Sequence, residues 1–197
     1  MKQIRNGMLF LFTGNPGSGK DSIISGIKQM YDGGNLYVPN RIITRPLHTS
    51  EDYISVSSKK FDSMILNHQF SFFWESYGIY YGLPSDIIAR LNLGDVVLAN
   101  VSRKVVSRIK SRILNTKCIF ISVDPIKGLS RIKKRGREGL DSIQFIERKN
   151  KLFEETEFEE ADVSFDNSFE IEECTRKILD YIIRETAVLN QEKEVVN

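Results

Sequence analysis

At 197 residues the chain suits one domain with one main core and room for a small inserted lobe. A hydrophobic share of 41% beside 27% charged residues is that of a soluble globular protein, and a net charge of +2 argues against nucleic acid or a membrane surface as partner. Cys118 and Cys174 lie far apart in apolar-patterned segments without metal spacing, so two buried, reduced thiols are expected. With no signal peptide and no run near the ~18 apolar residues of a membrane span, the sequence fits a cytoplasmic protein.

The first element is the unbroken apolar run Met8-Leu9-Phe10-Leu11-Phe12, which predicts a strand buried on both faces. It enters Gly14-Asn15-Pro16-Gly17-Ser18-Gly19-Lys20 and then a periodic stretch in which Ile23, Ile24, Ile27 and Met30 mark one helical face. An ordinary glycine-rich turn would not need this context; strand, glycine loop and helix together predict a phosphate-binding loop for a nucleoside triphosphate. Backbone N–H groups and the helix N-terminus receive phosphate oxygens, and Lys20 supplies the mobile cation. Where such loops carry Ser or Thr after the lysine to hold magnesium, this chain has Asp21, followed by Ser22. A carboxylate is also a good hard ligand, so Asp21 or Ser22 is expected to hold Mg²⁺, with further cations elsewhere offsetting the added negative charge.

Asp32-Gly33-Gly34-Asn35 is expected to end the helix in left-handed backbone. Leu36-Tyr37-Val38 and Arg41 to Arg45 read as extended segments split by Pro39, and Tyr53 to Val56 as a short strand. Ser57 or Ser58 should cap a helix bearing Phe61, Met64 and Ile65. Phe70 to Gly82 is dense in aromatics; Phe70 and Phe73 are assigned to the core of a small sheet, whereas Tyr80-Tyr81-Gly82 can aim hydroxyls at an anion. A helix is expected from Pro84, closed by Gly94.

Val96 to Val101 reads as a second buried strand ending in Ser102-Arg103, which faces the ligand crevice of an open α/β sheet. Val105, Val106, Ile109 and Ile113 mark a helix, Cys118 to Val123 a third buried strand, and Asp124-Pro125 the start of another helix. The latter runs into Arg131-Ile132-Lys133-Lys134-Arg135-Gly136-Arg137. Charge runs are usually solvated faces, but Arg131 and Arg135 share one helical side in a nucleotide-binding chain, which suits a lid closing over phosphates. Ile143 to Glu160 reads as an acidic amphipathic helix, Val163 to Phe165 as a last strand, Asp166-Asn167-Ser168 as a loop. A final helix carries Cys174, Ile178, Ile182 and Thr186, fraying from Asn190.

Taken together, the glycine loop, Thr44-Arg45-Pro46, Glu51-Asp52-Tyr53, Gly78-Ile79-Tyr80-Tyr81-Gly82, the Arg131/Arg135 lid and the Asp166-Asn167 loop resemble the guanylate kinase superfamily over nearly the whole chain. The resemblance implies an α/β P-loop NTPase fold in a single domain 1–197. Its parallel-sheet core, flanked by helices, would span 1–35 and 82–197, with an inserted acceptor-binding lobe at about 36–81 and a helical lid at about 131–148. Lys20-Asp21-Ser22, Arg41 to Arg45, Ser50-Glu51, Trp74, Asn100-Val101-Ser102-Arg103 and Arg135-Gly136-Arg137-Glu138 are more similar to one branch, the ribose 1,5-bisphosphate phosphokinases of bacterial phosphonate breakdown.

The chemistry agrees with that branch. Guanine presents N–H donors that need a carboxylate; by count from the tyrosine pair, Phe72 stands at that place, and a second phosphate-binding arginine falls near His48. An acidic pair after the following strand is replaced by Asn100, Ser102 and Arg103. A shifted register could bring in Glu75, which makes guanylate kinase the alternative. Counted from Ile143, the family's helical arginine falls on Ile146, and Arg148 matches only with a longer lid.

The resemblance therefore implies an enzyme that moves the γ-phosphoryl group of ATP, with Mg²⁺, onto the 1-phosphate of ribose 1,5-bisphosphate, giving 5-phosphoribosyl 1-diphosphate. Gly14, Asn15, Pro16, Gly17, Ser18, Gly19, Lys20, Asp21 and Ser22 would hold the donor, with Asp166 and Asn167 at the adenine. Lys20, Arg131, Arg135 and Arg137 would gather the transferring charge; Arg41, Arg45, Tyr53, Tyr81, Asn100, Ser102 and Arg103 would hold the acceptor, a small phosphorylated sugar or nucleotide. Catalytically inactive peptide-binding modules also occur on this fold, but these have no use for a complete loop beside three lid arginines.

Overall fold

The computed structural model describes residues 6–46, 53–136, 142–154 and 157–196. In chain order, β1 (Met8–Gly14), α1 (Lys20–Met30), β2 (Leu36–Tyr37), β3 (Arg41–Ile43) and β4 (Tyr53–Ser55) come first. Then follow α2 (Ser58–Leu66), β5 (Phe70–Ser76), β6 (Ile79–Pro84), α3 (Ile87–Asn92), β7 (Val96–Asn100), a 3₁₀ turn (Arg103–Val105) and α4 (Val106–Lys110). The last part holds β8 (Thr116–Ser122), α5 (Pro125–Arg135), α6 (Ile143–Glu154), β9 (Val163–Asp166) and α7 (Ile171–Val196).

The larger sheet is parallel throughout, in the order β2-β7-β1-β8-β9, so the apolar run of β1 lies at its centre. Successive side chains of a strand point to opposite faces, and both faces of this one are covered. Leu9 and Leu11 join a core with Val97, Cys118 and Ile109, while Met8, Phe10 and Phe12 join another with Ile23, Ile27 and Ile178. That double burial is why no polar residue interrupts the run. Cys118 and Cys174 fall in different cores on opposite sides of the sheet, both buried and both free, as expected. Burial pushes their thiols up, to about 12 for Cys118 and about 11 for Cys174.

A smaller sheet, ordered β4-β3-β6-β5, stands beside the first. Leu36 and Tyr37 pair with β7 of the large sheet, so the small sheet begins only at Arg41, and it includes Pro84, which pairs with Phe70. Because Pro84 ends β6, the helix expected there begins later, at Ile87. An irregularity between Phe70 and Phe72 shifts the strand's faces. As a result Phe72 is buried at 4% exposure and Phe73, assigned to the core from the sequence, is 38% exposed. Phe70, half-buried, stacks on Phe61 with ring centroids 4.6 Å apart.

Ser57 caps α2 and Asp124 caps α5, each side chain accepting from the backbone N–H three residues on. Three other expectations are corrected. α1 ends on Tyr31 in extended backbone, and the left-handed residue comes later, at Gly34. α6 stops at Glu154, so Glu160 lies beyond the helix, where its carboxylate accepts from Ser107 Oγ at 2.6 Å. α7 continues through Asn190 to Val196. Among the described residues no helix is long and apolar enough to cross a membrane.

Candidate active site

The loop between β1 and α1 is pressed into place from two sides. Gly17 has φ +75°, and a Cβ there would lie 2.5 Å from the carbonyl oxygen of Gly128 in α5. Gly19, the N-cap of α1, has φ +85°, and a Cβ would stand 2.6 Å from Asn167 Nδ2. Only glycine satisfies both demands at either place. Lys20 Nζ reaches back over the concavity to Gly14 O, Asn15 O and Ser18 Oγ, each at 3.0 Å. The loop thus gathers an ammonium and the start of an 11-residue helix, the layout that binds phosphate oxygens.

Against this loop opens a cleft of about 150 Å³. Its walls are Gly14, Pro16 and Lys20 from the loop, Asn100, Ser102 and Arg103 from the end of β7, and Arg41, Trp74, Tyr77 and Tyr81 from the small sheet. Arg148 and Lys151 of α6 close it. Lys20, Arg41, Arg103, Arg148 and Lys151 make five cationic side chains, and no carboxylate lines the cleft among the described residues. The Tyr81 ring stacks on Trp74 at 5.6 Å and 7°, a flat and rigid wall.

Two residues tie the cleft to the loop. Asp21 Oδ1 accepts from Arg41 Nη2 at 2.9 Å and from Asn100 Nδ2 at 2.6 Å. Asn15, 1% exposed, accepts from Arg103 Nη2 at 2.7 Å and donates through Nδ2 to Leu152 O at 3.5 Å. Arg103 is further held over the rings of Phe120 and Phe158, at 4.8 and 5.9 Å.

Of the residues expected from the sequence, the cleft brings together Gly14, Pro16, Lys20, Arg41, Tyr81, Asn100, Ser102 and Arg103. Asn15 and Asp21 stand immediately behind it. Arg45 lies outside the lining, its guanidinium 5.1 Å over the ring of Tyr53, and the Tyr53 hydroxyl donates to Pro46 O. Arg131 also lies outside: its Nη1 donates to Asn167 O at 2.9 Å and Gly17 O at 3.5 Å, bracing the outer side of the loop. The side chain of Arg135 and all of Arg137, like His48, Ser50, Glu51 and Asp52, are outside the described residues. Asn167 differs from its expected role. It is 1% exposed beneath the loop, and its Nδ2 donates to Ser18 O at 2.8 Å, so it clamps the loop rather than facing a base. Asp166 is exposed at the rim, its Oδ1 accepting from Ser168 N at 3.1 Å. Lys151 and Tyr77 were not legible beforehand, since a lone lysine on a helix and an aromatic before a glycine turn carry no signal of their own.

Asp21 fits a magnesium ligand. Two donors fix one of its oxygens while the side chain stays 41% exposed beside the loop. Among the described residues no cluster of three or more His, Cys, Asp or Glu groups could hold a metal alone. A single carboxylate completed by phosphate oxygens and water is how magnesium is commonly bound beside a triphosphate. Asp21 and Ser22 both line a second groove beside Arg41 and Asn100, and neither lines the cleft itself.

A glycine loop at the carboxyl edge of a central parallel strand, facing a cationic cleft under a second small sheet, defines a P-loop phosphate-handling protein. The chain belongs to the guanylate kinase family, whose sequence pattern it matches over residues 7–185. It is 29% identical over 175 residues to the ribose 1,5-bisphosphate phosphokinase PhnN of Rhizobium etli, covering 88% of each chain. To the protein of that name from Brucella abortus it is 30% identical over 187 residues, covering 92% of this chain and 94% of that one. It is also 33% identical over 159 residues to a bifunctional ribose 1,5-bisphosphokinase-thymidine phosphorylase of Azorhizobium caulinodans, of which it spans only 23%. The guanylate kinase of Anaplasma phagocytophilum shares the fold, with TM-score 0.69 at 17% identity over 94% of this chain and 89% of that one. The chain is a phosphotransferase of the P-loop kinase type with ATP as the phosphoryl donor that its family implies.

Proposed function

We propose that this enzyme transfers the γ-phosphoryl group of ATP to the 1-phosphate of ribose 1,5-bisphosphate, forming 5-phosphoribosyl 1-diphosphate. The observation that carries this reading is the lining of the cleft: five cations and, among the described residues, no carboxylate. The N–H donors of a purine such as guanine would find no carboxylate acceptor there, and each one left unpaired costs ~1–3 kcal/mol. Glu75, the carboxylate that a shifted register would have offered, lies outside the lining, and its Oε1 accepts from Gly78 N at 2.6 Å within its own hairpin. A small acceptor with two phosphates and no base matches such a pocket. The names of the phosphokinase relatives point the same way.

An acceptor phosphate is already ionised at neutral pH, so no general base is required and catalysis consists of positioning and charge neutralisation. Lys20 and the loop amides hold the donor phosphates. Arg41 and Arg103 receive the acceptor, with Arg103 set in place by Asn15. Asp21 would hold magnesium, which would supply neutralisation of the phosphate charge. Arg135 and Arg137 would close over the transferring group, while Arg131 steadies the loop through Gly17 and Asn167.

The test is a panel of acceptors with ATP and magnesium, following ADP. Ribose 1,5-bisphosphate should exceed GMP in kcat/KM by at least ~10³, since a pocket lacking a buried polar partner discriminates strongly. GMP as the better acceptor would overturn the assignment.

A further inference from the structure

The hairpin joining β5 to β6 turns on Tyr77 and Gly78, with φ +56° and +70°. Two positive φ values in a two-residue turn favour Asn, Asp or Gly at the first position, and a tyrosine there is uncommon. The turn itself gains nothing from the ring. The ring instead lies against α6, 5.2 Å from the Arg148 guanidinium and 5.9 Å from Lys151 Nζ. Arg148 and Lys151 are three residues apart, hence on one helical face, and Arg148 is only 8% exposed. Both line the cleft.

Two like charges on one helix face repel each other. A π-face within reach of both attracts both, most strongly where water is excluded. The ring also links two elements: it stands at the tip of the small sheet and lies against α6. We propose that Tyr77 is a positioning residue, whose ring seats Arg148 and Lys151 over the cleft and so couples docking of the acceptor lobe to presentation of two cations to the phosphates. The inference rests on reading the cleft as the acceptor site. It does not depend on which phosphorylated acceptor enters.

Three variants of the full chain separate ring, hydroxyl and backbone. Tyr77→Leu and Tyr77→Gly should each lower kcat and raise the acceptor KM, with a combined loss in kcat/KM of at least ~10-fold, while the ATP KM stays within ~2-fold. Tyr77→Phe keeps the ring face and should restore most of that loss. Tyr77→Gly suits the turn, so its loss cannot be laid to misfolding. In a Tyr77→Leu background, Lys151→Ala should add less than its own single effect, because the two act as a unit. Trp74, the single tryptophan, stands in the cleft wall and provides a readout apart from turnover: its emission on titration with acceptor, without ATP, should show weaker binding in the Leu and Gly variants. The proposal is overturned if Leu or Gly behaves as wild type, if Phe is as impaired as Leu, or if the Lys151 effect is fully independent. If GMP replaces ribose 1,5-bisphosphate as the acceptor that turns over, the substrate assignment fails. The same comparison made with GMP then still decides the role of Tyr77.

Discussion

The carboxylate of Asp21, one residue past the loop lysine, lies 2.9 Å from the guanidinium of Arg41, the first residue of the small sheet. This pair joins the start of α1, just past the glycine loop, to the small sheet, with Asn100 sharing the same oxygen at 2.6 Å. With the Arg41 side chain 14% and the Asp21 side chain 41% exposed, the pair is partly open to solvent and is better regarded as an orienting contact than as a source of stability. Asp21→Ala should raise the magnesium concentration for half-maximal rate by at least ~5-fold, while ATP binding without metal changes little. Arg41→Ala should instead raise the acceptor KM at an unchanged magnesium requirement. Titrating rate against magnesium at fixed ATP separates the two, and equal magnesium curves for Asp21→Ala and wild type would remove Asp21 from the metal site.

Lys20 is held by three oxygens of the loop at 3.0 Å each, so its ammonium already sits where phosphate oxygens must be received. Lys20→Ala should keep the melting temperature within a few degrees and lose at least ~100-fold in kcat. Turnover close to wild type in that variant would contradict the donor-site assignment.

Asn15 and Arg103 form the other joint. The amide oxygen of Asn15 fixes the guanidinium, and the Phe120 and Phe158 rings flank it. Arg103→Ala should raise the KM for a doubly phosphorylated acceptor far more than that for ATP, and Asn15→Ala should move the acceptor KM in the same direction. Combining them should produce little more than Arg103→Ala alone, since groups in one network do not act additively. Arg103→Lys should recover only part of the loss, because an ammonium neither stacks nor forks as a guanidinium does. Full additivity in the double variant would show that Asn15 acts elsewhere.

The large sheet and the loop were legible because their signals are local: an unbroken apolar run, glycines at fixed spacing, and a helix period directly after. β7 and β8 were readable on the same grounds. What could not be read was set by tertiary context. The face of β5 depends on an irregularity between Phe70 and Phe72 that no alternation reveals, so Phe73, assigned to the core, lies at the surface and Phe72 is buried. Asn167 stood in a loop that the resemblance placed at the adenine, yet its amide turns inward to Ser18 O, because the loop presses against it at Gly19. Arg131, on the expected side of α5, finds the backbone oxygens of Gly17 and Asn167 before any other partner. The two α6 cations line the cleft beside the Tyr77 hairpin, a meeting of distant segments that no local pattern reveals.

The two cysteines set the behaviour of the fold in mild alkali. Burial raises the Cys118 thiol from the ordinary 9.0 to about 12 and the Cys174 thiol to about 11. The folded chain therefore keeps both protons at a pH where the unfolded chain releases them. This contribution to stability is complete below about pH 9 and is lost as the pH rises toward 11 and 12. Tyr37 and Tyr181 are likewise raised from 10.0 to about 12, so they add to the fall only above about pH 10. Between pH 9 and 10 the slope belongs mainly to the thiols. Urea unfolding across that interval should show stability falling with pH in the wild type and a flatter dependence in a Cys118→Ala, Cys174→Ala variant. The absolute stability of the variant will be lower because of the lost packing, but the slope is independent of that offset. Labelling of the native thiols at pH 8 should also be much slower than in urea, since only the thiolate reacts and the folded sites disfavour it. An identical slope in the cysteine-free variant would show that other groups control the alkaline limb.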